Sequence, residues 1–118
     1  MNRPRFLADH DLNEHIIAGV LRLCPGVEFH RVRDGGLADA PDREVLLHAA
    51  QAGLCVVSHD VNTMTAAAAD IVRAGGSFPG LLLVKQTTPV RLAIDSLALV
   101  WSASEQSDWR NLVVFLPL

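Results

Sequence analysis

The stretch that decides the fold is LCVVSHDVN, residues 54–62, in which a continuous apolar run changes within a few positions into an acidic tip. Apolar residues in a row, without alternation, are typical of a strand that is covered on both faces. Such strands belong to parallel sheets between two layers of helices, and residues that directly follow them lie at the carboxyl end of the sheet. The stretch therefore predicts both a fold class and a polar site at the end of a strand.

The segments on either side repeat the alternation of apolar strands and amphipathic helices. Strands are predicted at residues 5–8, 27–32, 54–57, 81–84 and 112–116. Helices are predicted to begin at Asp11 (with Glu14 as its capping-box partner), at Asp42 after Pro41, at Thr63 as a cap, and at Thr88-Pro89. The order βαβαβαβαβ predicts an α/β fold with three layers, αβα, in which a five-stranded, mainly parallel sheet carries helices on both faces.

Size and composition restrict the classes of protein to which the chain can belong. Its 118 residues, half of them hydrophobic, predict one globular domain over residues 1–118. The formal net charge of -3 argues against a strongly basic nucleic-acid-binding surface, but it is compatible with a site that binds phosphate groups through metal ions. Motifs for a nucleophile elbow, a phosphate-binding glycine loop or a zinc site are missing from the sequence.

The cysteines and the N-terminal segment predict a cytoplasmic protein. Cys24 and Cys55 lack CxxC or metal-ligand spacing, which is typical of two buried, reduced thiols. The first residues, MNRPRFLADHD, do not form a signal peptide, and no apolar run approaches the ~20 residues of a membrane span. We therefore expect no membrane association.

Three aspartates are expected at the carboxyl end of the sheet. Asp9 follows the first strand, Asp60 follows the third, and Asp42 opens a helix whose N-terminus faces the same edge. Like charges about 4 Å apart repel each other by several kcal/mol at intermediate dielectric, and a divalent cation would remove this repulsion. Oxygen-only ligands suit Mg²⁺ or Mn²⁺.

Each of these residues also has a purely structural interpretation. An Asp at a helix start is usually a cap, and an Asp after a strand is often a turn residue. Ser58, two positions before Asp60, can hydrogen-bond a carboxylate or a bound water, or it can simply pack at the strand end. His59 and Asp60 are adjacent in an extended segment and point to opposite faces, so they are not expected to bind the same ion.

The same pieces of sequence resemble the PIN-like nuclease family, particularly the short members similar to VapC-type toxins of toxin-antitoxin modules. The matching pieces are FLADHDL at residues 6–12, VRDGGLADAPDREVLLHAAQAG at 32–53 and VVSHDVN at 56–62, in roughly the first half of the chain. The remainder matches only in its βαβ order. The resemblance implies that Asp9, Asp42 and Asp60 hold Mg²⁺ or Mn²⁺ for RNA hydrolysis.

The resemblance also implies supporting residues and partners. Asp34 matches a recurrent acid that either touches the site or caps its loop, and Glu44 and Glu14 are candidates for a fourth acid. Asn62 stands where the family often has a second Asp, and Ser58 stands where it usually has a Thr. Because of these differences, a weakened or inactive nuclease is an alternative to an active one. A cognate antitoxin protein and a homodimer are the implied partners.

Two other hypotheses stay open. A phosphoacceptor receiver domain has a similar length and alternation, and Asp9, Asp11 and Asp60 match its acids, but the lysine that such domains carry after the last strand is missing. A non-catalytic PIN-like protein that binds a partner is the third hypothesis, and Asn62 favours it.

Overall fold

The computed structural model describes residues 2–118 and contains one five-stranded sheet and four α-helices. The elements are β1 (Phe6–Ala8), α1 (Glu14–Leu23), β2 (Phe29–Arg31), α2 (Asp42–Ala52), β3 (Cys55–Ser58), α3 (Thr63–Arg73), β4 (Leu81–Val84), α4 (Val90–Ala103) and β5 (Val113–Leu116). Short 3-10 helices cover Val32–Gly35 and Gln106–Trp109. Within this described part of the chain, no helix has the length and apolar character needed to cross a membrane.

The sheet has the strand order β2-β1-β3-β4-β5, and its four strand pairings are all parallel. Helices α1 and α4 pack together on one face, and α2 and α3 pack together on the other. The predicted three-layer α/β fold is therefore confirmed, and the sheet is parallel throughout rather than mainly parallel.

The two cores explain why the strands are apolar without alternation. Phe6 and Val57 face the α1–α4 layer, whereas their neighbours Leu7 and Val56 face the α2–α3 layer. All four side chains are almost completely buried. Since both faces of the sheet are covered, every position of a central strand is buried, as the run at residues 54–57 predicts.

The last crossover has the opposite hand to the others. The first crossover runs from β1 to β2 and the next two run the other way along the sheet, so right-handed connections place α1 on one face and α2 and α3 on the other. The connection from β4 to β5 moves along the sheet in the same direction as the two connections that contain α2 and α3. A right-handed connection would therefore place α4 on their face, yet α4 packs beside α1 on the opposite face. The side of β5 that faces the α2–α3 layer is consequently open, and Phe115 on that side is 49% exposed.

Several predicted element boundaries are wrong. Helix α1 begins at Glu14, and the side chain of Asn13 caps it by accepting the amide of His15, so Asp11 and Glu14 do not form a capping box. Thr63 is the first residue of α3 rather than its cap. The second strand covers Phe29–Arg31 rather than residues 27–32: it begins two residues later than predicted, and it ends one residue earlier because Val32 begins a 3-10 helix.

Candidate functional site

A pocket of about 430 Å³ opens where β1 and β3 end. The strand order reverses between these two strands, which is the position where parallel α/β sheets bind ligands. The pocket is lined by Asp9, His10, Asp11, Ala38, Asp39, Ala40, Asp42, Ser58, His59, Asp60 and Gln86. The three predicted aspartates thus lie in one pocket, together with Asp11 and Ser58.

The pocket is strongly acidic. Five carboxyl groups line it, and its lining contains no Lys or Arg. Helices α2 and α3 both begin at this edge, and the partial positive charge of a helix N-terminus stabilises a nearby anion by about 0.3–1 kcal/mol. This contribution offsets only part of the repulsion among five carboxylates, so the pocket favours the binding of a cation.

Ser58 connects Asp9 with Asp60. Its hydroxyl donates a hydrogen bond of 2.7 Å to Oδ2 of Asp9 and accepts the amide of Asp60 at 2.9 Å. Ser58 is completely buried and the side chain of Asp9 is only 10% exposed, so this arrangement is rigid. Of the predicted interpretations of Ser58, the structure therefore shows the hydrogen bond to a carboxylate.

Asp60 holds the backbone at the start of α3 and also lines the pocket. Its Oδ1 atom accepts the amides of Asn62 and Thr63 at 3.1 and 2.9 Å, and its Oδ2 atom contacts the hydroxyl of Thr63. The Thr63 hydroxyl, together with these backbone amides, outweighs burial and lowers the pKa of Asp60 below its ordinary value of 3.8. Asp60 is therefore an ionised carboxylate at neutral pH.

Thr63 also brings Asp42 to Asp60. Its hydroxyl oxygen lies 2.5 Å from Oδ2 of Asp42 while it contacts Oδ2 of Asp60. A hydroxyl has a single proton to donate, so only one of the two carboxylates can receive it. The other carboxylate oxygen is left facing an oxygen lone pair, and a cation bound there would remove that repulsion. The sequence predicted a capping role for Thr63 and missed this one.

His10 is a second residue that sequence reasoning did not assign to the site. Its Nδ1 lies 3.0 Å from Oδ1 of Asp9, and its Nε2 lies 2.9 Å from the carbonyl oxygen of Leu37. Burial alone would lower the pKa of His10, but the Leu37 carbonyl and the Asp9 carboxylate outweigh it and raise the pKa above 6.5. Both ring nitrogens face acceptors, which favours the imidazolium form.

His59 has a structural role instead. Its Nδ1 donates to the carbonyl oxygen of Val84 at 2.7 Å, and its Nε2 accepts the amide of Asn13 at 3.2 Å. These contacts tie together the ends of β3 and β4 and the start of α1. Since both ring nitrogens are used, His59 has no free lone pair for an ion, in agreement with the expectation that His59 and Asp60 do not share one.

The remaining predicted residues lie outside the lining of the pocket. Asp34 lines a different cavity, together with His48 and Leu54. Glu44 is exposed in the first turn of α2, and Asn62 lines a neighbouring groove. Glu14 pairs with the guanidinium groups of Arg31 and Arg33, which lower the pKa of Glu14. Asp39 and Gln86, which the sequence did not single out, do line the pocket.

The donor chemistry of the pocket fits a hydrated Mg²⁺ or Mn²⁺ ion. Across residues 2–118, no group of three or more His, Cys, Asp and Glu side chains is arranged to hold a metal ion. Mg²⁺, however, usually takes one or two carboxylates and keeps several waters. Asp42 and Asp60, which meet at the Thr63 hydroxyl, supply such a pair. Asp9 lies in the same pocket, where Ser58 holds it.

Comparisons of the chain with known protein families, curated proteins and solved structures give no match. The resemblance to the PIN-like family therefore stays an expectation that depends on the motifs quoted above.

Proposed function

We propose that the protein is a Mg²⁺- or Mn²⁺-dependent ribonuclease of PIN-like type, and that the acidic pocket is its active site. The observation that supports this proposal is the gathering of Asp9, Asp42 and Asp60, from three separate parts of the chain, in one pocket without Lys or Arg. A phosphodiester can approach such a site only when cations compensate the charge of the pocket.

In this proposal the carboxylates of Asp42 and Asp60, with Thr63 between them, hold the ion. The ion, when bound, lowers the pKa of a water molecule and stabilises negative charge on the phosphate. Ser58 and His10 donate to the two carboxylate oxygens of Asp9 and keep that side chain oriented in the pocket. When His10 is protonated, its positive charge attracts a phosphate that enters beside it.

The proposal is tested with purified protein and a mixture of single-stranded and structured RNAs in Mg²⁺, in Mn²⁺ and in a chelator. We expect cleavage only with metal, and a loss of about a hundredfold or more in Asp9→Asn, Asp42→Asn and Asp60→Asn. Two matched controls, Asp34→Asn in the separate cavity and Asp95→Asn on the exposed side of α4, should retain activity. Unchanged cleavage in Asp9→Asn and Asp60→Asn would discard the proposal.

The resemblance extends the proposal to a cytoplasmic toxin whose cognate antitoxin covers the acidic pocket. A toxin of this kind arrests growth when it is expressed alone, and the antitoxin restores growth. The expected genetic arrangement is a neighbouring reading frame for a small DNA-binding protein. Growth that is unaffected by expression of a cleavage-competent protein would argue against the toxin role while leaving the nuclease in place.

A receiver-like signalling domain is the second candidate, because receivers share the strand order β2-β1-β3-β4-β5. Asp9, Asp11 and Asp60 lie in the pocket as that function requires, but the pocket has no lysine, and Lys85 lines the neighbouring groove. Incubation with a small phosphodonor and Mg²⁺, followed by intact mass measurement, separates the candidates. A non-catalytic binding protein loses support, since Asn62 does not line the pocket and its neutral side chain removes no charge from it.

A further inference from the structure

A second groove lies directly beside the acidic pocket. It has a volume of about 570 Å³ and is lined by Val61, Asn62, Lys85, Thr88, Phe115, Leu116 and Pro117. Residues of the groove are adjacent in sequence to residues of the acidic pocket at two places. Asn62 of the groove lies between Asp60 and Thr63, whose side chains meet at the pocket. Lys85 of the groove directly precedes Gln86, which lines the pocket.

The hand of the last crossover creates this groove. Phe115 is the register partner of Leu83, whose side chain packs in the α2–α3 layer, so Phe115 faces the same side of the sheet. Because α4 lies on the opposite face, Phe115 is 49% exposed, whereas the next residue, Leu116, is buried against α1 and α4. Lys85 directly follows the end of β4 and lines the same groove as Phe115.

The charge of the groove is opposite to that of the pocket. Lys85 is exposed, and none of the ion pairs in the described part of the chain involves it. The groove lining contains no Asp or Glu. The unpaired ammonium group of Lys85 and the exposed ring of Phe115 therefore line one groove, next to the acidic pocket.

We infer that this groove binds one nucleotide of a single-stranded RNA, next to the phosphodiester that lies in the acidic pocket. The inference rests on the proposed function and adds a nucleotide-binding subsite beside the acidic pocket. The ring of Phe115 stacks on the base and the ammonium group of Lys85 binds a phosphate, which is the combination by which proteins hold single strands. The volume lies within the range of about 300–1,000 Å³ for small-molecule sites. The amide of Asn62 and the hydroxyl of Thr88 add hydrogen-bonding groups.

A single strand is the substrate that this arrangement favours. Stacking on Phe115 needs a base whose face is free, and bases in a duplex are already stacked on their neighbours. The groove therefore distinguishes the single strand from the duplex by access to the base, without reading its sequence.

The test is the binding of a short, fluorescently labelled oligouridylate, followed by fluorescence anisotropy in Ca²⁺, which carboxylates also bind. We expect Phe115→Leu to weaken binding about tenfold, since stacking on an aromatic ring contributes a factor of about 5 to 150 per base. Lys85→Gln should lower the slope of log affinity against log salt by about 0.7, the value for one phosphate contact of a single strand. A duplex of equal length should bind more weakly and should be insensitive to Phe115→Leu.

Matched controls lie at the other end of the sheet and on the far helix layer. Arg22→Gln removes an exposed cation from the last turn of α1, and Leu99→Ala removes an exposed apolar side chain from α4. Both variants should bind like the unchanged protein. Far-UV circular dichroism and thermal unfolding of each variant verify that the fold is retained.

Two results would overturn the inference: unchanged protein that binds no oligouridylate, or groove variants that bind it as the controls do. Because binding is measured separately from cleavage, the two proposals can fail independently. Weakened binding in Phe115→Leu and Lys85→Gln, combined with cleavage that is insensitive to Asp9→Asn, would leave the groove as an RNA site and remove the acidic pocket as the catalytic one.

Discussion

At the scale of single residues, two side chains of the acidic pocket, Asp9 and His10, use every polar atom they have. Both carboxylate oxygens of Asp9 accept hydrogen bonds, from His10 and from Ser58. Both ring nitrogens of His10 face acceptors. The described residues contain no buried side-chain nitrogen or oxygen without a hydrogen-bond partner. Removing one of these hydrogen-bonding groups should lower the free energy of unfolding, because its buried partner atom is then left with neither a hydrogen bond nor water.

His10 should make the stability of the protein dependent on pH. Its pKa in the folded protein lies above the ordinary value of 6.5, so its contribution to the free energy of unfolding is fully present below pH 6.5 and is lost as the pH rises through the folded pKa. We expect the free energy of unfolding, measured with urea in the presence of a chelator, to fall across this window. His10→Gln should flatten the fall, whereas His15→Gln, at an exposed site on α1, should not. An identical pH profile in His10→Gln would show that protonation of His10 does not contribute to the free energy of unfolding.

At the scale of elements, the strongest sequence signals gave correct boundaries. The start of α2 at Asp42 and the strand from Leu81 to Val84 match the prediction residue for residue. Proline and glycine punctuate α2 on both sides, and Gly53 adopts the left-handed conformation (φ 72°) that ends a helix. The start of α1 could not be predicted in this way, because Asp11 and Asn13 are both good capping residues. The amide of Asn13 is held by His59, a contact that only the tertiary structure creates.

Gly19 allows α1 and α4 to approach each other closely. A Cβ atom at this buried position would overlap the side chain of Ile94 on α4. Overpacking costs about 1–3 kcal/mol, and replacing Gly by Ala in a helix returns about 1 kcal/mol. We therefore expect Gly19→Ala to lower the free energy of unfolding by up to about 2 kcal/mol in urea denaturation.

The Ile94→Ala background is the control for this contact. With the Ile94 side chain shortened, the added methyl group has room, and Gly19→Ala should become stabilising through helix propensity alone. A stabilising effect of Gly19→Ala in the unaltered chain would show that the Ile94 side chain moves aside at little cost and that this contact does not restrict residue 19.

At the scale of the whole molecule, the acidic pocket is a source of electrostatic repulsion that lowers the stability of the protein. Five carboxyl groups in one cavity repel each other, and the protein carries that repulsion at the centre of its sheet edge. Sites that bind cations commonly show this conflict, because the charges that attract the ion destabilise the protein without it.

Metal should therefore stabilise the protein, and removing one carboxylate should have opposite effects with and without metal. At a Mn²⁺ concentration 100 times the dissociation constant, the free energy of unfolding should increase by about 2.7 kcal/mol, which is measurable as a rise in the unfolding temperature. Asp42→Asn should raise the unfolding temperature in a chelator and lose most of the gain from Mn²⁺. Asp95→Asn, far from the pocket on α4, should respond to Mn²⁺ as the unchanged protein does. If Mn²⁺ left the unfolding temperature unchanged, Asp42 and Asp60 would have no role as metal ligands.

The sequence by itself determined the three-layer fold and the edge at which Asp9, Asp42 and Asp60 meet. It could do so because strand and helix periodicity are local properties, and the carboxyl ends of parallel strands coincide wherever the strands pair. Only the tertiary structure decided that α4 packs beside α1, that β5 keeps one open side, and that Leu37 reaches His10. An apolar sheet accepts a helix on either face, so the pattern of α4 does not specify its layer, and contacts between distant loops leave no periodic signal in the chain.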